Sequence, residues 1–141
     1  MCTPRRWFLR TLAISSIYLA VTLPLAAITV TSLGDSGPGT LRAAIDAANS
    51  DGVPTTITFA AGLAGGTIAP ASFLTWIQEP DTTIDGDLND DCVPDIGIDG
   101  AGAGTGGVGI RAYSDRNVIR GLAISRFSGH GVLLGGIDNV F

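Results

Sequence analysis

The sequence GIRAYSDRNVI at residues 109–119 is followed by GVLLGGIDNVF at residues 131–141, 22 positions further along the chain. The matched positions carry glycine, asparagine or apolar residues, which set the path of a backbone rather than a reaction. A repeat of about twenty residues, built of short β-type runs between turn residues, is typical of a coiled solenoid of strands. Because the last matched residue, Phe141, also ends the sequence, we expect this stretch to be the beginning of a longer array.

One helix is predicted, over residues 40–49 with the sequence TLRAAIDAAN. Thr40 is a suitable N-cap, and Gly52 is placed to end the helix. The apolar positions fall on one helical face; they are Leu41, Ala44, Ile45 and Ala48. The alternating run ITVT at residues 28–31 predicts a strand just before it.

Eight short β-type runs follow the helix. They are residues 55–59, 66–68, 73–77, 82–84, 96–98, 108–112, 117–125 and 131–134. Parallel strands normally need crossovers of a dozen or more residues, usually helical, and no helical crossover is predicted here. We therefore predict an all-β fold, a parallel β-helix, in which residues 55–141 form the first rungs. Residues 28–54 are predicted to form a strand and helix that cap the open end, since uncovered strand edges would otherwise meet water.

Residues 1–27 are predicted to be a signal peptide. A basic head of three arginines precedes residues 11–27, which carry no charge. The segment PRRWFLR at residues 4–10 resembles a twin-arginine export signal. Ala26 and Ala27 offer small residues for cleavage, although Leu25 is not ideal before them. An ordinary secretory signal is the alternative, and the protein is expected to be extracellular, at the cell surface or periplasmic.

The charge of the remaining chain excludes several partners. Residues 28–141 hold five arginines and thirteen acidic residues, a formal charge of −8. Such a chain repels nucleic acid and anionic membrane surfaces. The membrane is expected to be contacted only through the signal segment or a C-terminal anchor. Cys92 is the only cysteine in this stretch, so we expect no disulfide within it.

A family resemblance rests on two segments. The sequence SLGDSGPGTLRAAIDAAN at residues 32–49, followed by TITF at residues 56–59, resembles the N-terminal module of bacterial surface and secreted proteins of the parallel β-helix type. In that group a Ser/Thr-Leu-Arg-x-Ala-Ile helix precedes a right-handed β-helix of pectate-lyase-like architecture. Residues 83–87 and 117–124 are similar to its rungs. The resemblance implies a fold but not an activity, because that architecture serves adhesins, autotransporter passengers, lyases and hydrolases.

The most acidic segment, DGDLNDDCVPD at residues 85–95, predicts a calcium loop. Calcium prefers several oxygen ligands from one tight loop, and alternate residues supply them here at nearly the spacing of a calcium-binding loop. The candidate ligands are Asp85, Asp87, Asn89, Asp91 and Asp95. Cys92 replaces the usual turn glycine, and Ile98 stands where the last carboxylate is expected. The alternative is a solvated turn whose side chains cap backbone groups.

No catalytic residue is predicted. Asn117 and Asn139 recur at one repeat position and are expected to shape turns. His130 has no partner in sequence that would make it a general base. Four arginines fall near the last repeats and could bind an acidic sugar, the alternative being solvent-facing charge; they are Arg111, Arg116, Arg120 and Arg126.

The sequence therefore predicts an exported β-helix protein with a structural, adhesin-like role, facing extracellular carbohydrate or a host or matrix surface. The alternatives are the N-terminal part of a polysaccharide lyase or glycoside hydrolase, or of an autotransporter passenger. An enzyme is the less favoured interpretation, because the two visible repeats share only turn residues and aliphatics. Calcium is the one cofactor expected.

Overall fold

The computed structural model describes residues 25–141 as short parallel strands with one α-helix and two 3₁₀ turns, Ala61–Leu63 and Gly100–Gly102. Strand β1 (Ala26–Val30) precedes helix α1 (Leu41–Asp51). The strands after the helix, in chain order, are β2 (Thr55–Phe59), β3 (Thr67–Ile68), β4 (Thr82–Asp85), β5 (Ile96–Asp99), β6 (Ile110–Ala112), β7 (Val118–Arg120), β8 (Leu122–Ser125) and β9 (Val132–Leu134). Mostly parallel strands with a single helix is the composition that the sequence predicted.

The strands form three parallel sheets. Sheet A has the order β1-β2-β4-β7, sheet B has β3-β5-β8, and sheet C pairs β6 with β9. Ile77 extends sheet C through a parallel bridge to Ala112, and Val140 returns to sheet A by a bridge to Val118. After the helix the chain thus visits sheets A, B and C in the same order three times. We call each such circuit a pass.

In-register pairing stacks the core residues of successive passes on one another. Ile57, Ile84 and Ile119 are register partners in sheet A, and all three are fully buried. Ile68 and Ile98 form the matching column in sheet B. Because each buried isoleucine stabilises the fold by about 1.5–3 kcal/mol, these columns account for much of the cohesion between passes.

The 22-residue spacing is confirmed between the last two passes, where Ile110 pairs with Val132. The preceding pass is longer, since Asp85 pairs with Arg120, 35 positions later. Its extra length lies in two loops, residues 86–95 and 100–109, whereas the last pass makes the same crossings with Gly121 and with residues 126–131. The strand positions are therefore conserved from pass to pass while the loops vary.

Helix α1 lies between β1 and β2, where later passes have strands of sheets B and C. Thr40 Oγ1 accepts a hydrogen bond from Ala43 N at 3.3 Å, and Gly52 ends the helix with a φ of 65°. The predicted stripe of Leu41, Ala44, Ile45 and Ala48 is buried in the common core. The predicted cap, face and end of the helix are all confirmed.

Polar side chains of α1 bind the backbone on both sides of Ile77. Asn49 Nδ2 donates to Trp76 O at 2.7 Å, and Asn49 Oδ1 accepts from Gln78 N at 2.8 Å. Arg42 donates to Phe73 O at 2.5 Å. Two side chains of the helix thus satisfy backbone groups that a neighbouring strand would otherwise pair.

Two predicted strands differ from the structure. The run at residues 117–125 is divided at Gly121, whose φ of 66° turns the chain so that β7 joins sheet A and β8 joins sheet B. A side chain at Gly121 would also collide with the backbone of Gly86 and Asp87. In the run at residues 73–77, only Ile77 pairs with a strand.

The predicted signal peptide lies mostly outside the described residues, which begin at Leu25. Ala26 and Ala27 belong to β1 and pair with Thr55 and Thr56, so cleavage after Ala27 would shorten this strand to its last three residues. Within residues 25–141, no helix is long and apolar enough to cross a membrane.

Candidate functional site

The acidic loop at residues 86–95 connects β4 to β5, and its side-chain oxygens bind its own backbone. Asp87 is only 7% exposed; its Oδ1 accepts from Asp91 N at 3.2 Å and its Oδ2 from Cys92 N at 2.9 Å. Asp95 Oδ2 accepts from Leu88 N at 2.8 Å. Asp85, Asn89 and Asp91 each accept from the backbone N–H two residues further on. All five candidate calcium ligands therefore act as turn-forming acceptors.

The loop has the tight backbone that the calcium prediction requires, and Asp87 Oδ1 and Asn89 Oδ1 both accept from Asp91 N. Cys92, at the position where glycine is usual, has a φ of 65°, the left-handed conformation that this position demands. Cys92 is not a free thiol. Among residues 25–141, no group of three or more His, Cys, Asp or Glu side chains is arranged to hold a metal ion. Calcium binding stays a prediction.

Arginines of one pass bind carboxylates of the pass before it. Arg116 makes a two-pronged pair with Asp81, with Nε–Oδ1 and Nη2–Oδ2 distances of 2.7 Å each. Arg120 Nη2 lies 2.5 Å from Asp85 Oδ2 and 3.3 Å from Asp90 Oδ1, which ties the acidic loop to strand β7. Arg126 pairs with Asp99. These side chains are neutralised within the fold and are poorly placed to bind an acidic sugar.

The pairs shift the pKa values of their members in the direction expected for opposite charges. The hydrogen bond from Arg116 lowers the pKa of the Asp81 carboxyl, and the hydrogen bond from Arg126 lowers that of Asp99. Reciprocally, hydrogen bonds to their carboxylates raise the pKa of Arg116, Arg120 and Arg126. Because these arginines are largely exposed, each pair contributes little to stability on its own.

Arg111 differs from the other arginines of the described chain. Its guanidinium carbon lies 4.7 Å from the centre of the Trp76 ring and 6.0 Å from that of Tyr113. The two rings meet edge to face at 5.5 Å, and they are 44% and 53% exposed. No described carboxylate pairs with Arg111, and its Nε is buried without a hydrogen-bond partner. We call Trp76, Arg111 and Tyr113 the aromatic–arginine patch.

The patch lies on the outer side of sheet C. Arg111 separates the buried residues Ile110 and Ala112 on β6, and Trp76 precedes the buried Ile77 that pairs with Ala112. Gly135 leaves room for the Tyr113 ring, since a Cβ there would lie 2.6 Å from Tyr113 Cδ1. Sequence reasoning considered Arg111 as one of four arginines but missed Trp76, because 35 positions separate it from Arg111. The one signal in the sequence was Tyr113, two positions after Arg111, a spacing that places two side chains on the same side of an extended chain.

The two repeated asparagines form a ladder between passes. Asn117 Oδ1 accepts from Thr82 N at 3.0 Å, and Asn139 Oδ1 accepts from Asn117 N at 2.7 Å. Asn117 Nδ2 also donates to Ser114 O and Oγ at 2.9 Å each. Both asparagines thus shape and join turns, as predicted. His130 is exposed, and its carbonyl accepts from Gly109 N at 2.9 Å.

No protein-family model, curated protein sequence or solved structure matches this chain. The resemblance to surface proteins of the β-helix type is therefore carried by the residues alone.

Proposed function

We propose that residues 55–141 form rungs of a right-handed parallel β-helix, capped by the strand and helix of residues 28–54, in an exported protein with a structural, adhesin-like role at the cell surface or outside the cell. The observation that carries this proposal is the repeated A, B, C order of the three parallel sheets. In-register aliphatic columns between passes favour the same architecture, because stacked repeats bury a continuous core only when their strands align.

The structural role is supported by how the chemically capable side chains are used. Three of the four candidate arginines form ion pairs between passes, and the candidate calcium ligands accept hydrogen bonds from their own loop. The repeated asparagines join turns. An enzyme would need some of these groups directed together at a substrate.

The architecture can be tested by shortening one pass to match the next. The turn Asp85-Gly86 followed by Ile96 corresponds in register to Arg120-Gly121-Leu122, so residues 87–95 are an insertion relative to the later pass. If the passes are equivalent rungs, deleting residues 87–95 leaves the far-ultraviolet circular dichroism spectrum and cooperative urea unfolding of the full chain intact. Deleting residues 96–99, which form β5, is the matched control and should abolish both. Loss of structure in the first variant would contradict equivalent rungs.

Export can be tested with residues 1–40 fused to a reporter that is active only outside the cytoplasm. We expect reporter activity that is lost when Arg5 and Arg6 are both replaced by lysine, since the twin-arginine route requires the arginine pair. Replacing Arg10 alone by lysine is the control. If export survives the double replacement, the twin-arginine route is ruled out and an ordinary secretory signal is the remaining interpretation.

The alternative enzyme role has its own assay. Incubating the full chain with neutral and acidic polysaccharides should release no new reducing ends and no unsaturated products if the role is structural. Release that follows the protein through purification would favour a lyase or hydrolase. The autotransporter alternative differs only in how the protein is attached to the cell, so it also predicts that no sugar products are released.

A further inference from the structure

We infer that the aromatic–arginine patch is a binding site for a partner protein, which it recognises by one carboxylate flanked by apolar side chains, as in a short Leu-Asp-Leu segment. This inference goes beyond the proposed structural role and does not depend on export or on the number of rungs. It rests on the geometry of Trp76, Arg111 and Tyr113.

The first step is that Arg111 has no carboxylate partner. The other arginines of residues 25–141, at positions 42, 116, 120 and 126, each pair with a described aspartate. Arg111 makes no such pair, and no hydrogen bond joins its side chain to another described residue. Buried polar atoms nearly always have a partner. The charge of the Arg111 guanidinium is therefore not paired within the described chain; because Nε is buried, the two Nη groups are the ones that an incoming carboxylate can bind.

The second step is the orientation that the rings impose. A guanidinium lying over an aromatic face is held by cation–π attraction while its N–H groups point outward in its own plane. A carboxylate binds such an edge through two parallel hydrogen bonds. Trp76 and Tyr113 remain about half exposed, so apolar groups beside that carboxylate can pack against them. Trp, Tyr and Arg are also the residue types that dominate the energetics of protein interfaces.

The third step is the charge of the surroundings. Residues 28–141 carry a formal charge of −8, which repels a polyanion approaching this surface. A ligand with a single carboxylate avoids most of that repulsion. The apolar side chains beside its carboxylate add hydrophobic contact with the rings, which does not depend on the net charge. The balance therefore favours a peptide segment of low charge over an anionic polysaccharide.

The test uses two peptides, acetyl-Leu-Asp-Leu-amide and acetyl-Leu-Asn-Leu-amide, titrated into the ¹⁵N-labelled full chain. The readouts are the NMR signals of Arg111 Nε–H and of the Trp76 indole N–H, assigned with the R111K and W76F variants. We expect the Asp peptide to shift both signals with a Kd of about 1 mM, as suits a three-residue ligand. The Asn peptide should bind at least about tenfold more weakly, because it lacks the charge that the guanidinium recognises.

Two variants decide whether Arg111 is responsible. R111Q should abolish the preference for the Asp peptide, whereas R116Q, which removes an arginine already paired with Asp81, should keep it. Circular dichroism spectra that match the parent chain establish that each variant is folded. Equal binding of the two peptides, absence of binding to either, or an unchanged preference in R111Q would overturn the inference. Carboxymethyl cellulose that shifts the Arg111 signal more strongly than the Asp peptide would overturn it in favour of a polysaccharide ligand.

Discussion

Replacing Asn117 by alanine should destabilise the fold more than any other single change in the asparagine ladder. Asn117 is fully buried, and its side chain makes three hydrogen bonds, one from Thr82 N and two to Ser114. The alanine variant leaves the N–H of the buried Thr82 without an acceptor, which costs about 1–3 kcal/mol. The two lost hydrogen bonds to the half-buried Ser114 add to this cost, so we expect the free energy of unfolding to fall by about 3 kcal/mol in total.

Asn139 provides the matched control for this prediction. It occupies the same position one repeat later and also makes three hydrogen bonds, but it is only partly buried, so water can replace the lost partners. In urea unfolding of the full chain, with a slope of about 2 kcal/mol/M, the midpoint should fall by about 1.5 M for N117A. It should fall by about 0.5 M or less for N139A. Equal shifts would refute the argument that the burial of an asparagine, and not only its hydrogen bonds, determines how much it stabilises the fold.

Three further predictions concern the ion pairs, the calcium loop and the helix cap. The hydrogen bond from Arg116 lowers the pKa of Asp81 below 3.8, so the pair stabilises the fold above that pH and its contribution is lost as the pH falls through the lowered value. The urea midpoints of the parent chain and R116Q should therefore differ at neutral pH, and the difference should shrink as the pH is lowered below 3.8. A difference that does not change with pH would contradict this linkage. Calorimetry should detect calcium binding with a Kd of about 10⁻⁴–10⁻³ M, as in extracellular modules, and D87N should remove it; absence of heat at millimolar calcium would remove the calcium prediction. T40A should lower the free energy of unfolding by about 1 kcal/mol through loss of the N-cap, measured by urea unfolding with T29A as the control; equal losses would argue against a specific cap.

The helix and its caps could be predicted from sequence because their signals are local. Thr40 begins the helix, Gly52 ends it, and the apolar stripe between them recurs with helical spacing. Most strands could be predicted for the same reason, since short alternating runs lie between turn residues. The division at Gly121 was missed because β7 and β8 are adjacent in sequence, and only pairing with different sheets separates them.

The partners of the arginines could not be predicted, because loop length is free to vary in this fold. Arg116 and Arg120 pair with carboxylates 35 positions earlier, and Arg126 with one 27 positions earlier. Neither distance equals the 22-residue repeat. The insertion at residues 87–95 separates residues in sequence that the strand register brings together.

The same variability explains why the aromatic–arginine patch is hidden in the sequence, and the patch also has no counterpart in the last pass. Register pairing places Leu133 beside Arg111 and Leu134 beside Ala112, and Gly135 replaces Tyr113 at the next position of the repeat. The later pass thus keeps the core residues and omits the cation and the ring. The asparagines that join the passes do recur, at positions 117 and 139. Since the patch is not repeated although the core and the ladder are, its residues are not required for stacking of the passes, and G135A tests whether Tyr113 takes part in binding. The added methyl group would displace the Tyr113 ring, so peptide binding should weaken while the Asn117 ladder and the urea midpoint change little; an unchanged affinity would show that Tyr113 takes no part in the site.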